Sequence, residues 1–221
     1  DVVGKIKAAW PNARLGNGFG LTETASVSTF LPHENCQERP ETVGFTAPVI
    51  EVDLFERDPE TGVGELLIRG QNVVEGYWNK PEQSAETFVN GWLHTGDLAR
   101  CDDEGFVQIV DRKKDMVNRG GENVYCVEVE GAIVQHPDVF EVAVLGVPDE
   151  MMGEKVGAII VLQPGAKPDP LEIRAFTKSL IADFKAPQFI TFRDEPLPRN
   201  AGGKVLKPQL RKEAVWGDQL R

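Results

Sequence analysis

Residues His94 to Tyr125 read HTGDLARCDDEGFVQIVDRKKDMVNRGGENVY, a stretch that combines a turn, a strand, a charged run and a glycine pair. After the His-Thr-Gly-Asp turn, Phe106 to Val110 is the predicted strand, and the charged run Asp111 to Asp115 follows it. Small and charged residues bury little surface but suit a site where a polar ligand approaches the backbone. Either half alone is more typical of a surface turn or a solvated charge run, so the prediction of a site depends on both halves occurring together.

Composition limits the class of protein. Of the 221 residues, 41% are hydrophobic and 27% are charged, which is typical of a soluble globular protein with one or two domains. The net charge of -11 argues against general nucleic-acid binding and against an anionic membrane surface. No apolar run reaches the length of a membrane span. The three cysteines (Cys36, Cys101 and Cys126) predict free thiols in a reducing, cytoplasmic compartment.

The first residue of the chain is Asp1 rather than a methionine, and it stands inside a helical pattern. We expect no leader sequence in this stretch. We therefore expect the chain to be the C-terminal fragment of a longer protein whose N-terminal part is missing.

The first 111 residues predict mostly short strands. A helix over Asp1 to Trp10 ends at Pro11, and a second helix covers Lys80 to Phe88. The glycine-rich segment Asn17 to Gly20 predicts a flexible loop. Two tryptophans, Trp78 and Trp92, are interpreted as packing residues, because large aromatic side chains dominate small cores. The predicted strands are Ala13 to Leu15, Val49 to Phe55, Glu65 to Arg69 and Phe106 to Val110.

From Arg112 the pattern changes to a compact α+β unit, and the charged run Asp111 to Asp115 is interpreted as the linker. The sequence thus predicts an α+β protein with two domains, residues 1–111 and 112–221, the first containing a small β-rich subdomain. Leu171 to Phe184 predicts an amphipathic helix with Leu171, Ile173, Phe176, Leu180 and Ile181 inward. The other elements are helices over Val127 to Gln135 and Lys207 to Ala214, strands over Val142 to Val147, Gly157 to Leu162 and Gln188 to Phe192, and a mobile loop over Asn200 to Gly203.

Two segments carry residue types that can contact a polar or flat ligand. Gly18 and Gly20 flank Phe19, so a flat ring can lie against backbone and against a flat ligand. In the Thr-Glu-Thr that follows, Thr22 can hydrogen-bond a phosphate, and Glu23 offers hard oxygen to Mg²⁺. The alternative is a glycine turn leading into a segment capped by one of its threonines.

The second such segment is near the C-terminus. Lys204 follows two glycines, and a lysine on a glycine-flanked loop can be delivered into a site and withdrawn. An exposed surface lysine is the commoner alternative.

Five motifs, taken together, resemble those of the adenylate-forming superfamily, which contains acyl-CoA synthetases, peptide-synthetase adenylation domains and luciferases. They occur in this order: NGFGLTET (17–24), GYWNKPE (76–82), WLHTGD (92–97), DRKKDMVNRGGENVY (111–125) and PRNAGGKVLK (198–207). The resemblance covers essentially the whole chain. It implies the end of a large N-terminal adenylating domain followed by a mobile C-terminal domain of the AMP-binding enzyme type.

The resemblance also implies a two-step ligase that uses ATP, Mg²⁺ and coenzyme A. ATP and a carboxylic acid, here a fatty or other apolar acid, would give an acyl-adenylate and pyrophosphate. The coenzyme A thiol would then displace AMP to form a thioester. By resemblance, Phe19 would lie on the adenine between Gly18 and Gly20.

The same resemblance implies roles for single residues. Thr22 would contact the α-phosphate and Glu23 would bind Mg²⁺. Asp97 would accept hydrogen bonds from both ribose hydroxyls, and Arg112 would also reach the ribose. Lys204 would bridge the substrate carboxylate and the α-phosphate, stabilising charge that develops during adenylation.

For the second step, the C-terminal domain would rotate about a hinge at Lys114. The rotation would withdraw Lys204 and present the loop of Gly120 and Gly121, whose glycines would let the pantetheine arm pass close to backbone.

A motif expected in such enzymes is missing from this chain, namely a Ser/Thr/Gly-rich phosphate loop that ends in lysine. We therefore expect that these 221 residues alone do not adenylate efficiently. Two alternatives remain open: an adenylating enzyme that loads a carrier protein, and a non-catalytic module that binds AMP through Phe19 and Asp97. A luciferase-type oxygenase belongs to the same superfamily, but no residue favours it.

Overall fold

The structure, a computed structural model, describes the backbone of residues 2–220 and the side chains from Val3 onward. The chain divides into two compact units, one up to Lys113 and the other from Lys114. The boundary predicted from the sequence lies two residues earlier, between Asp111 and Arg112.

The first unit is rich in β-structure. Its antiparallel sheets are β1-β2-β3 and β4-β5-β7-β6, and β8 pairs with the later part of β7. Apolar side chains of β4, β5, β7 and β8 form its core, which includes Leu66, Ile68 and Leu93. The elements in chain order are α1 (Val2–Ala9), β1 (Asn17–Leu21), β2 (Ser26–Leu31), β3 (Phe45–Thr46), β4 (Ile50–Phe55), β5 (Gly64–Gly70), α2 (Pro81–Thr87), β6 (Phe88–Val89), β7 (Trp92–Cys101) and β8 (Val107–Arg112).

The second unit is a mixed sheet packed on both faces. The sheet order is β10-β9-β12-β11, and β13 pairs in parallel with β12. Alternate residues of β11 point to opposite faces: Val144 packs with the α3 and α4 side chains, and Leu145 packs with Leu210 of α5. The elements in chain order are β9 (Val117–Arg119), β10 (Glu122–Val124), α3 (Cys126–Ile133), β11 (Val139–Asp149), β12 (Gly153–Leu162), α4 (Pro170–Leu180), β13 (Phe189–Arg193) and α5 (Lys207–Glu213).

The α+β class is confirmed, and most predicted elements are present with bounds shifted by a few residues. Two local predictions are wrong. Ala13 to Leu15 is not a strand, and Asn17 to Gly20 is not a loop but most of β1, because it pairs with β2. The unit boundary falls within the charged run that was interpreted as the linker, although Asp111 is a buried residue of β8 and Asp115 is buried in a turn.

One prediction of side-chain burial is wrong and another is right in part. Trp78 is 89% exposed, so it is not a packing residue. Ile173 is buried and Ile181 packs against the core, as predicted, whereas Leu171 and Leu180 are about half exposed and Thr177 is the other buried residue of α4. All three cysteines are free thiols, as predicted. Within residues 2–220, no helix has the length and apolar character needed to cross a membrane.

Candidate functional site

Phe19 lies on β1, in a hairpin whose close packing requires glycine. A Cβ on Gly20 would lie 2.0 Å from the Ser26 carbonyl oxygen, and one on Gly18 would lie 3.2 Å from the Thr29 carbonyl oxygen. The β1–β2 register shifts between Phe19 and Gly20. These glycines therefore serve strand pairing rather than flexibility, and they leave the Phe19 ring half-buried against the core of the first unit.

Thr22 and Thr24 stand at the two ends of a 3-10 turn and have different environments. Thr24 is fully buried, and its Oγ1 accepts the Leu21 N–H at 2.9 Å. The same hydroxyl has the carbonyl oxygens of Leu21 and Ser26 within 3.0 Å as acceptors. Thr24 therefore fixes the turn, while Thr22 is exposed at its surface and is available to a ligand.

Glu23 is held by the segment that follows β5. The Tyr77 hydroxyl donates a hydrogen bond to Glu23 Oε1 at 2.6 Å, and the Val74 N–H donates to the Glu23 carbonyl at 2.9 Å. Burial and the neighbouring Glu23 carboxylate raise the pKa of Tyr77, so the phenol stays a donor. Sequence reasoning assigned no role to Tyr77, although it lies in the GYWNKPE motif.

Asp97 stands on a bulge in β7. Glu65 of β5 is opposite Leu98, and Leu67 is opposite His94, so two residue steps on β5 face four on β7. The extra residues form the Thr-Gly-Asp turn of the WLHTGD motif. Bulges of this kind redirect side chains and are frequent beside active sites.

The Asp97 carboxylate is 5% exposed and is paired with Arg112. Arg112 Nε donates to Asp97 Oδ1 at 2.8 Å, and the two residues are opposite each other in the β7–β8 ladder. The Asp97 N–H donates to Thr95 Oγ1 at 3.1 Å, and that hydroxyl donates to the Leu66 carbonyl at 2.7 Å. The structure thus brings together the two residues predicted to bind the ribose.

In the second unit, the predicted hinge Lys114 is exposed, and the turn that contains it is attached to α5. Arg211 Nη2 donates to the Lys114 carbonyl at 3.2 Å and to Asp115 Oδ1 at 2.9 Å. The Cys126 thiol donates to the Asp115 carbonyl at 2.9 Å. Residues immediately after the predicted hinge therefore belong firmly to the second unit.

Gly120 and Gly121 form the turn between β9 and β10, with φ of +64° and +94°. The Gly120 N–H donates to the Met152 carbonyl at 2.7 Å, and a Cβ on Gly120 would lie 2.6 Å from Met152 Cε. A Cβ on Gly121 would meet nothing within 4 Å. Gly120 therefore satisfies a packing need, whereas Gly121 leaves open backbone that an extended ligand can approach.

Lys204 follows the segment that the sequence predicts to be a mobile loop, and in the structure this segment is a hydrogen-bonded turn. Asn200 Oδ1 accepts the N–H groups of Gly202 and Lys204, each at 3.0 Å, and the Asn200 N–H donates to the Lys204 carbonyl at 3.0 Å. Arg199 Nη1 donates to the Gly203 carbonyl at 2.8 Å. The Lys204 side chain is exposed, and within residues 2–220 its ammonium has no hydrogen bond or ion pair.

The donor set fits a nucleotide with Mg²⁺. Among the residues that the structure describes, no cluster of three or more His, Cys, Asp or Glu side chains could hold a metal on its own. Glu23 supplies one carboxylate, and Mg²⁺ in nucleotide sites is commonly held by one or two carboxylates together with phosphates and water. Asp97 has the carboxylate that the sequence predicts for the ribose, and Phe19 has the aromatic face predicted for the adenine.

Comparison with protein families gives two matches. Residues 1–78 match the AMP-binding enzyme family, and residues 128–204 match the AMP-binding enzyme C-terminal domain. The two matches fall on either side of the boundary between the two units and occur in the order expected for one enzyme.

Sequence relatives are ligases of carboxylic acids. The chain is 40% identical over 217 residues to a long-chain-fatty-acid–CoA ligase of Bacillus subtilis, a match that covers 94% of this chain and 38% of the relative. It is 38% identical over 210 residues to a fatty acid–[acyl-carrier-protein] ligase of Streptomyces coeruleorubidus, covering 92% of this chain and 40% of the relative. The chain thus spans about two fifths of the length of the curated relatives it matches.

Solved structures of similar proteins agree with these sequence matches. The o-succinylbenzoate CoA synthetase of Bacillus subtilis, in complex with its acyl-adenylate intermediate, superposes with a TM-score of 0.88 at 32% identity, covering 98% of this chain and 44% of that chain. The same enzyme in complex with ATP and magnesium superposes with a TM-score of 0.79 at 35% identity, covering 89% and 41% of the two chains. The chain therefore belongs to the adenylate-forming family of AMP-binding enzymes, with part of it in each of the family's two domains.

Proposed function

We propose that the protein containing this chain is an AMP-forming acid–thiol ligase that activates a carboxylic acid as an acyl-adenylate and transfers the acyl group to coenzyme A. The observation that carries this proposal is the buried Asp97 carboxylate, which stands on the β7 bulge and pairs with Arg112; a carboxylate held in this way suits the acceptance of hydrogen bonds from vicinal hydroxyls. The relatives that are CoA ligases support it.

In the first step, the residues of the first unit bind and orient the nucleotide. Phe19 offers its ring to the adenine, Asp97 accepts hydrogen bonds from the ribose hydroxyls, and Thr22 donates to the α-phosphate. Glu23 would hold Mg²⁺, which would supply neutralisation of the charge on the leaving pyrophosphate. Lys204 then stabilises the negative charge where the substrate carboxylate attacks the α-phosphorus.

In the second step, rotation at Lys114 withdraws Lys204 and presents the turn of Gly120 and Gly121. The open Gly121 backbone supports this assignment, since a thin pantetheine arm needs an approach free of Cβ atoms. The coenzyme A thiolate attacks the acyl carbon, the bond to the phosphate oxygen breaks, and AMP leaves. Changes of φ and ψ at a few residues between two compact units are typical of hinges.

We further propose a fatty acid as the substrate, because a long-chain-fatty-acid–CoA ligase is among the relatives with highest identity. Loading of a carrier protein is the second candidate, and the fatty acid–[acyl-carrier-protein] ligase favours it. Relative rates with coenzyme A and with a carrier-bound pantetheine separate the two. A cytoplasmic location belongs to this proposal and is supported by the three free thiols.

The test uses the protein expressed from its complete reading frame. ATP–pyrophosphate exchange is measured with a panel of carboxylic acids from acetate to palmitate, and thioester formation is followed with coenzyme A. We expect acid-dependent exchange with a maximum among fatty acids, while the 221-residue chain alone shows none. Absence of acid-dependent exchange from the complete protein, with AMP binding retained, would support the non-catalytic module instead.

A further inference from the structure

A buried glutamate behind the Asp97 bulge has no direct part in the proposed adenylation or thioester formation. Glu65 lies on β5 with its side chain 8% exposed. Its Oε1 accepts the Gly96 N–H at 3.1 Å, and its Oε2 accepts Lys113 Nζ at 3.0 Å. His94 Nδ1 lies 3.5 Å from the same Oε2. All these partners belong to the motif that contains Asp97 or to the end of the adjacent strand.

The Glu65 carboxyl is kept ionised in spite of its burial. Burial by itself raises the pKa of Glu65, but the hydrogen bond and charge of Lys113, the Gly96 N–H and His94 lower it below its ordinary value. An unpaired buried charge is strongly unfavourable, whereas one with several hydrogen bonds is tolerated. Among its neighbours on β5, Leu66 and Ile68 are fully buried apolar residues, so a carboxylate here is an exception in the strand.

The bulge creates the need for this acceptor. The bulge leaves Gly96 without an opposite residue in the β5–β7 register. The Glu65 carboxylate supplies the acceptor for the Gly96 N–H. Gly96 has a φ of +70°, which favours glycine. The turn geometry therefore depends on a glycine for its backbone angles and on Glu65 for its hydrogen bond.

The Gly96 carbonyl is hydrogen-bonded as well. It accepts the Lys113 N–H at 2.9 Å, and the Lys113 ammonium donates to Glu65. Gly96, Lys113 and Glu65 thus form a closed circuit of hydrogen bonds that joins the bulge to the end of β8. Asp97 directly follows Gly96, and Arg112 directly precedes Lys113, so both predicted ribose residues are covalently attached to this circuit.

We propose that Glu65 is a positioning residue of the ribose site. By holding Gly96 and Lys113 it sets the direction of the Asp97 carboxylate and of the guanidinium that pairs with it. The inference rests on the proposed function, since it takes the ribose hydroxyls as the ligand of Asp97. A glutamate that touches no ligand thereby determines how well the protein recognises ribose.

The test compares AMP with 2′,3′-dideoxy-AMP as ligands of the protein expressed from its complete reading frame. Calorimetry gives the affinity of each ligand for wild type, Glu65→Ala and Glu65→Gln. We expect the wild type to prefer AMP, and Glu65→Ala to lose on the order of tenfold in AMP affinity while its affinity for the dideoxy ligand is unchanged. Glu65→Gln keeps an acceptor for Gly96 and should recover part of the preference.

Controls separate positioning from general damage. Glu51 of β4 forms an exposed ion pair with Arg69 of β5, the strand that also contains Glu65, so Glu51→Gln should leave both affinities unchanged. Lys113→Met removes the ammonium that donates to Glu65, and it replaces Glu65→Ala in the test if that variant does not fold. We expect the same loss of preference for AMP over the dideoxy ligand. Thermal unfolding is measured for every variant.

The outcomes are distinguishable. Wild-type preference for AMP that persists in both Glu65 variants and in Lys113→Met overturns the inference and leaves the ligase proposal standing. An equal loss of affinity for the two ligands also overturns it, because that pattern indicates general damage. A wild type without any preference for the ribose hydroxyls overturns the ribose assignment of Asp97 and the inference with it.

Discussion

Asp97 and Lys204, the two polar side chains central to the proposed chemistry, are held in opposite ways. Asp97 is 5% exposed and is paired with Arg112, whereas Lys204 is exposed, and its ammonium has no partner among residues 2–220. Both backbones are held in place, one on a bulge and the other beside a hydrogen-bonded turn. The clear difference between them is in the side chains.

This contrast follows from the proposed roles. A carboxylate that binds ribose through both half-reactions gains from being fixed before the ligand arrives, because no ordering is then required on binding. A lysine used in one half-reaction and withdrawn in the other gains from having no competing partner. Its cost is the rotamer entropy lost at each use, about 1.5–2 kcal/mol for a lysine.

The largest expected effect is that of Lys204→Ala on adenylation. In the protein expressed from its complete reading frame, we expect ATP–pyrophosphate exchange to fall by about 10²–10³-fold, because a donor aimed at developing charge is removed. Thioester formation from a supplied acyl-adenylate should stay within about twofold, since Lys204 is withdrawn in that step. The exposed Lys212→Ala is the matched control. Equal loss in both half-reactions contradicts the division of roles.

For the free energy of unfolding, we expect Asp97 to matter more than Lys204. Asp97→Ala removes a buried carboxylate that is hydrogen-bonded to Arg112, so we expect the free energy of unfolding to fall by about 1–3 kcal/mol. Lys204→Ala changes an exposed side chain and should alter it by less than about 0.5 kcal/mol. Urea unfolding of both variants measures the difference. Similar losses in the two variants would mean that Asp97 is not a constrained site.

A smaller effect is expected from Tyr77→Phe, which removes the hydroxyl that donates to Glu23. Loss of one hydrogen bond to a carboxylate is worth about 1.5–3 kcal/mol at most, and Tyr77 is only partly buried. We expect the Mg²⁺ concentration for half-maximal exchange to rise by about fivefold with little change in the maximal rate. Phe88→Leu alters the ring beside Tyr77 and serves as a packing control. An unchanged Mg²⁺ dependence would show that the Tyr77 hydroxyl does not affect Mg²⁺ binding.

The smallest effect concerns pH and Glu65. Since the pKa of Glu65 is lowered in the folded protein, its ionised form stabilises that state at any pH above the unfolded-state value, near 4.5. The stabilisation disappears as the pH falls through the folded-state pKa. The difference in unfolding free energy between wild type and Glu65→Gln should thus be largest at neutral pH and vanish in acid. A difference that grows on acidification would show that the carboxyl is buried in its neutral form.

The fold was predictable where sequence pattern and local geometry agree. Apolar strands such as β5, β11 and β12 and the glycine turns between strands are indicated by composition alone. Asn17 to Gly20 was misassigned because glycine favours loops in isolation, whereas here it permits two strands to approach closely. Trp78 was misassigned because its aromatic area favours burial, while the turn at Asn79, with a φ of +53°, leaves the side chain in solvent.

The candidate site was predictable as a set of motifs but not as a set of contacts. Resemblance indicated Asp97 and Arg112, and the structure pairs them across β7 and β8. Glu65 could not be identified, because its partner Lys113 lies 48 residues away and nothing local distinguishes a glutamate at the start of an apolar strand. Tyr77 is 54 residues from Glu23 and was missed for the same reason. Lys114 as a hinge stays a prediction.

The exposure of Trp78 has an optical consequence. An indole in water fluoresces at longer wavelength than a buried one and is open to quenching by iodide. Trp78 directly follows Tyr77, whose hydroxyl is bonded to Glu23, so its emission is a natural reporter of a ligand that arrives beside Glu23. Trp10 is the other strongly exposed tryptophan, at 66%, and Trp10→Phe would remove its background. The chain thus contains its own fluorescent probe and needs no added label.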